Sequence, residues 1–137
     1  MLVIDASALL ELLLGRAAAP AVAKRIREHR GDLHAPHLVD VQVLSALRRL
    51  VMAGHASPKR AEEALADFRD LTIERHPHDP LIPRIWSLRE NFSAYDATYV
   101  TVAEVLAAQP LPLLTADARL ARAIETHGVV EVIDATR

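Results

Sequence analysis

Short apolar runs alternate along this chain with longer stretches of helical periodicity, an order that leaves a parallel sheet wrapped by helices as the expected architecture. Leu2 to Asp5 reads as a strand and Ala6 to Leu14 as a helix closed by Gly15. Ala18 to His29 follows as a helix and Leu33 to Ala35 as a second strand. The stretch from His37 to Met52 is helical, with Val43, Leu47 and Leu50 at core spacing and Gly54 past its end. Ser57-Pro58 opens the next helix. Leu71 to Arg75 is a predicted third strand, and Asp79-Pro80 opens a helix carrying Trp86 and Leu88. Another helix runs from Ser93 to about residue 108, and strands at 110–115 and 130–133 flank a final helix over 117–127 that Gly128 ends. No linker, repeat or low-complexity tract interrupts the 137 residues, so one domain over residues 1–137 is expected.

The most telling residue within this pattern is Asp5, because a carboxylate directly behind an apolar strand is costly unless its charge is used. Asp96, in Ser93-Ala-Tyr-Asp-Ala-Thr-Tyr99, and Asp117, in Leu113-Leu-Thr-Ala-Asp-Ala-Arg119, stand in comparable places at the first turns of helices. Taken singly, each reads first as a helix cap: Asp5 for the helix at Ala6, Ser93-x-x-Asp96 as a capping-box variant, and Asp117 or Thr115 for the last helix. Taken together they gain weight. Asp5 and Asp117 follow strands at their carboxyl ends, the edge where an α/β sheet builds its crevice.

Convergence of the three carboxylates would demand a counter-charge, since two like charges about 4 Å apart at an effective dielectric near 20 cost roughly 4 kcal/mol. Oxygen donors without His or Cys suit Mg²⁺ or Mn²⁺, which favour phosphate chemistry. Hydrolysis of a phosphodiester then needs no nucleophilic side chain, because the cation polarises a phosphoryl oxygen and activates water. Ser7 and Thr115 are the supporting residues expected to position such waters.

Composition narrows the partners. A net charge of -2 argues against holding nucleic acid by diffuse positive charge, so any such contact is local or cation-assisted. Arg119 and Arg122, just after Asp117, and Arg48 and Arg49 are candidates to steer phosphates, against the commoner role of a solvated face. Aromatics are only 4% of the chain, too few for the stacking platform of a single-strand binder. Tyr95 and Tyr99 read as packing residues. His76-Pro-His78-Asp79 resembles a metal cluster, but Pro77 and Pro80 make it a turn. A hydrophobic content of 51% suggests a face covered in a homodimer or by another partner. The chain has no cysteine, and Asp5 and Glu11 break its first apolar runs. A cytoplasmic protein with no membrane span is therefore expected.

Four segments carry a family resemblance: Met1-Leu-Val-Ile-Asp-Ala-Ser7, residues 35–49 from Ala-Pro-His-Leu-Val-Asp-Val-Gln onward, Tyr95-Asp-Ala-Thr-Tyr99 and Leu114-Thr-Ala-Asp-Ala-Arg-Leu120. In this order they resemble the PIN domain, in particular the VapC toxins of VapBC toxin–antitoxin pairs, over essentially the whole chain. The resemblance implies a three-layer α/β fold with a parallel sheet of four or five strands. It further implies a Mg²⁺- or Mn²⁺-dependent endoribonuclease, a homodimer, and a VapB-type antitoxin whose C-terminal segment reaches the acidic site. Asp5, Asp96 and Asp117 would be the metal ligands.

At one position the chain departs from that pattern: Gln42 stands where the family usually carries its second acidic residue, a glutamate. Glutamine keeps the size and one acceptor oxygen but loses the charge, so an attenuated or inactive catalytic site is expected. It reads equally as divergence or as an engineered isostere. Asp40 is no substitute, since two positions rotate a side chain by about 200° around a helix. The alternative is therefore a catalytically weakened PIN-fold module that binds antitoxin or RNA. A receiver-like phosphoryl-transfer domain is disfavoured, because Asp5-Ala-Ser7 lacks a second acid and Lys24 and Lys59, the only lysines, lie on predicted helices.

Overall fold

A computed structural model describes residues 1–137 and bears out the three-layer α/β expectation, with five parallel strands and seven α-helices. In chain order these are β1 (Leu2–Ile4), α1 (Ala6–Leu13), α2 (Ala19–Glu28), β2 (Leu33–Pro36), α3 (Leu38–Met52), α4 (Pro58–Asp70), β3 (Ile73–His76), α5 (Ile82–Ser87), α6 (Ala94–Val105), β4 (Leu113–Thr115), α7 (Ala118–His127) and β5 (Val132–Asp134). The strands lie in the order β3-β2-β1-β4-β5. The order reverses direction on either side of β1, so the chain leaves β1 and β4 at a topological switch point.

Burial explains why the sheet's centre reads so clearly. Leu2, Val3 and Ile4 are all at 0% exposure, as are Leu113 and Leu114, because β1 and β4 are covered on both faces. Val39, Val43 and Leu47 set α3 against the sheet, and Leu120, Ala121 and Ile124 do the same for α7.

Several boundaries differ from expectation for local reasons. The third strand starts at Ile73, because the Leu71 N–H still donates to the carbonyls of Asp67 and Phe68 at the end of α4. Pro110 and Pro112 have no N–H for a ladder, and β4 is confined to Leu113–Thr115. Leu106 caps α6, which ends at Val105 rather than near residue 108. Residues Asp79–Leu81 form a single 3-10 turn, Pro83 lies in the first turn of α5, and Leu88 lies past its end. Gly128 ends α7 in the left-handed region at φ 62°, as a C-terminal glycine should. No helix is long and apolar enough to cross a membrane.

Candidate active site

The ends of β1 and β4 and the first turns of α1, α3, α6 and α7 surround one cleft of about 550 Å³. Its lining includes Asp5, Ser7, Gln42, Asp96 and Asp117, together with Ser45, Arg49, Tyr95 and Tyr99. Capping and convergence turn out to be compatible. Asp5 is the N-cap of α1 and accepts from the Ala8 N–H at 3.0 Å, while Asp117 caps α7 through the N–H groups of Arg119 and Leu120. At the start of α6 it is Ser93 that caps, accepting from the Asp96 N–H, which leaves the Asp96 carboxylate to the cleft.

Asp5 is the deepest of the three acids, 5% exposed, and the most tightly specified. Its Oδ1 accepts from Ser7 Oγ at 2.7 Å and its Oδ2 from Thr115 Oγ1 at 2.5 Å. A carboxylate offers about four lone-pair sites, and with the Ala8 N–H three are used, so room for one further partner remains. The same hydroxyls tie neighbouring backbone in place. Ser7 Oγ accepts from the Ala116 N–H and Thr115 Oγ1 from the Asp117 N–H, each at 3.0 Å, which couples the end of β1 to the β4–α7 turn. Burial raises the Asp5 pKa from 3.8 to about 6, the hydrogen bonds from Thr115, Ser7 and Ala8 restrain that rise, and the Asp117 charge adds to it.

Asp96 and Asp117 share a cation already present in the chain. The Arg119 guanidinium donates to Asp96 Oδ2 at 2.9 Å and to Asp117 Oδ2 at 3.3 Å. Its proton is held more firmly than usual, chiefly by the bond to Asp96. Sequence reasoning cast Arg119 as a phosphate contact and missed this bridge, whose one available signal was the two-residue spacing from Asp117. Arg122 is exposed on α7 and does not line the cleft, whereas Arg49 of α3 does and donates to Ser45 Oγ at 3.0 Å.

Gln42 projects into the same cleft, where its Oε1 accepts from the Tyr99 hydroxyl at 2.6 Å. Asp40 points elsewhere, as the helical rotation requires, and its carboxylate pairs with Arg75 at 2.7 Å. Tyr99 is buried, and desolvation raises its pKa, so it stays a neutral donor. The packing expectation fails for Tyr95, which is 62% exposed on the rim of the cleft.

Asp5, Asp96 and Asp117 offer oxygen donors of the kind a hard divalent cation takes, but the three carboxylates do not gather within 4.8 Å of one another, and Arg119 already pairs with one oxygen of Asp96 and one of Asp117. Imidazole is absent from this lining. From sequence His76 was weighed only with His78 and Asp79, a group set aside as a turn; in the structure His76 instead joins His34 and Glu74, on β2 and β3, with three ligand atoms within 4.8 Å of one another. The only linear signal of this cluster was the alternate spacing of Glu74 and His76.

The family model for the PIN domain matches residues 2–125. VapC ribonuclease Mb0985 of Mycobacterium bovis and ribonuclease VapC9 of Mycobacterium tuberculosis are each 43% identical over 122 residues, covering 88% of this chain and 88% of theirs. Ribonuclease VapC12 of Mycobacterium tuberculosis is 35% identical over 133 residues, covering 97% of this chain and 99% of its own. PAE2754 from Pyrobaculum aerophilum, a solved structure, superposes with a TM-score of 0.64 over 98% of this chain and 83% of that one, at 24% identity, and so attests the fold. The chain belongs to the PIN domain family, on its VapC branch.

Proposed function

We propose that this protein is a ribonuclease toxin of a VapBC-type pair, an endoribonuclease that hydrolyses RNA phosphodiesters at the Asp5–Asp96–Asp117 cleft with Mg²⁺ or Mn²⁺. The observation that carries the reading is that three carboxylates from three separate segments line one cleft in a chain whose relatives are named ribonucleases. Asp5, Asp96 and Asp117 would hold the cation. The chemistry that group supplies when bound is Lewis acidity toward a phosphoryl oxygen and activation of water.

The chain's own residues do the rest. Ser7 and Thr115 fix both Asp5 oxygens, so the deepest ligand pays little further ordering entropy. Arg119, which pairs with Asp96 and Asp117 in the structure, would give up those oxygens to a cation and, with Arg49 at the rim, turn its guanidinium donors to RNA phosphates. Leu10 and Leu38 give the cleft an apolar border beside those donors. Gln42 lacks the charge of a glutamate at the mouth of this site, and we infer an activity below that of a glutamate-bearing form. The same residue favours a second reading, a weakened PIN-fold module that binds antitoxin or RNA without efficient cleavage.

The proposed partners are a VapB-type antitoxin and a second copy of the chain. Exposed Val41, Leu44 and Met52 on α3 support a covering partner, since they offer apolar area that water disfavours. Incubation of structured RNA with the protein tests the reading: cleavage should require Mg²⁺ or Mn²⁺, stop with chelator, and vanish in Asp117→Asn. Cleavage that survives both treatments would overturn the metal-dependent acidic site.

A further inference from the structure

The histidine cluster lies on the other wing of the sheet and none of its members lines the acidic cleft. Parallel pairing sets His34 of β2 beside Glu74 of β3, and Pro36 beside His76. Strand side chains repeat every two residues, so His34, Glu74 and His76 share one face. His34 Nδ1 lies 3.0 Å from His76 Nε2 and 3.5 Å from Glu74 Oε2. Ligand bonds of about 2.05 Å around a four-coordinate ion place neighbouring donor atoms about 3.3 Å apart. The His34–Glu74 separation lies close to that edge, and the 3.0 Å between the imidazole nitrogens is a hydrogen bond that a bound ion would replace by a small turn of the His76 ring.

A second observation gives the cluster direction. His34 Nε2 is 2.8 Å from Asp32 Oδ1, so the ring donates its Nε2–H to the carboxylate and turns the Nδ1 lone pair toward Glu74 and His76. A carboxylate behind the far nitrogen is the arrangement that orients metal-bound imidazoles. His34 is only 3% exposed, which fixes its ring before any ligand arrives. Glu74 is exposed and leaves a path for entry. The two imidazoles meet edge to edge through their hydrogen bond, with ring centroids 5.3 Å apart and planes 26° from parallel.

We propose that His34, Glu74 and His76 form a second cation site, selective for a zinc-class transition metal and separate from the Mg²⁺ or Mn²⁺ cleft. Two imidazoles and one carboxylate suit Zn²⁺, Co²⁺ or Ni²⁺, whereas the all-oxygen cleft suits hard ions. Three protein ligands leave a fourth position for water. The ion joins edge strand β3 to β2 at the foot of α3, where the His37 N–H donates to the His76 carbonyl at 2.9 Å and the Leu38 N–H to His78 Nε2 at 3.0 Å.

The test is a titration of zinc chloride into the full chain in excess Mg²⁺, followed by calorimetry and thermal melting. One zinc per chain is expected, with a melting midpoint raised by roughly 5–10 °C near a hundredfold excess over the dissociation constant. His76→Asn keeps a donor for His34 and should still fold, but should lose the shift and bind at least about tenfold more weakly. Exposed Glu74→Gln should weaken zinc without disturbing the fold, and Asp32→Asn should cost about tenfold through the lost orienting contact. Asp96→Asn should leave the shift intact. The proposal is overturned by absence of zinc binding, by binding that survives both His76→Asn and Glu74→Gln, or by binding that disappears in Asp96→Asn.

Discussion

The two wings of this sheet handle polar groups in opposite ways. At the ends of β1 and β4, the acids are gathered at the topological switch point and held by hydroxyls, helix N-termini and one arginine. On β2 and β3, two imidazoles meet edge to edge across the strands, and Asp32 orients that of His34. The first arrangement concentrates negative charge in an open cleft, where a hard cation and a phosphate can meet. The second offers nitrogen lone pairs on a strand edge, where a softer ion would join two strands. Proximity of titratable groups is common to both, so the donor chemistry and the place in the fold are what separate them.

The largest expected effect comes from challenging a variant of the acidic wing with that wing's own ligands. Asp96→Asn should reduce RNA cleavage by roughly a hundredfold or more, and Mn²⁺ titration should show weakened binding, because a carboxylate at a metal site leaves no equivalent donor when made an amide. Equal Mn²⁺ affinity in the variant and the parent would break the assignment of hard-ion chemistry to the cleft.

Next in size is the pH effect of Asp5, which comparison with Asp5→Asn separates from that of the other shifted groups. The folded Asp5 pKa of about 6 exceeds the ordinary 3.8, so between those values the folded state binds more protons than the unfolded state. Its contribution to stability is therefore greatest below pH 4 and is lost as pH rises through 6, amounting to about 3 kcal/mol for the metal-free protein. Denaturation by urea at pH 4.5 and pH 7.5 should show a steeper loss in the parent than in Asp5→Asn. Parallel behaviour of the two proteins would contradict the buried, strained carboxylate.

Tyr99→Phe removes the hydroxyl that holds Gln42 and should cost about 1 kcal/mol, read as a shift in the urea midpoint at unchanged slope. Smallest is Asp40→Asn. Its pairing with Arg75 is partly exposed, so a loss below about 1 kcal/mol is expected, with RNA cleavage unaltered despite its closeness in sequence to Gln42. A strong effect on cleavage would show that the helical rotation had been misjudged.

Most of the fold was legible because its main signals are local. The apolar run Leu2–Ile4, the caps at Ser57 and Ser93 and the left-handed Gly128 each declare themselves within a few residues. Strand ends were less legible, since Leu71 and residues 110–112 take their state from helix termination and missing proline N–H groups rather than from apolarity. For the cleft, Asp5, Asp96 and Asp117 were named from position and family likeness, and the structure lines one cleft with all three. The contacts among them were not legible. Ser7 reaches Ala116 and Tyr99 reaches Gln42 across 109 and 57 residues, and such pairings depend on how elements pack. The histidine cluster was hidden for the same reason: His34 meets His76 only after parallel pairing brings residues 42 apart together.

The central claim is that the acidic cleft is a nuclease site damped by one missing charge. It is tested most directly by measuring cleavage of structured RNA in Mn²⁺ for the parent, Gln42→Glu, and Gln42→Glu combined with Asp5→Asn. The Tyr99 hydroxyl can donate to a carboxylate at position 42 as it does to the amide, so the gain should be one of charge with little change of shape. The account predicts cleavage raised on the order of 10- to 100-fold by Gln42→Glu and abolished when Asp5→Asn is added. No cleavage by the parent or by Gln42→Glu would contradict it and leave a module that binds antitoxin or RNA.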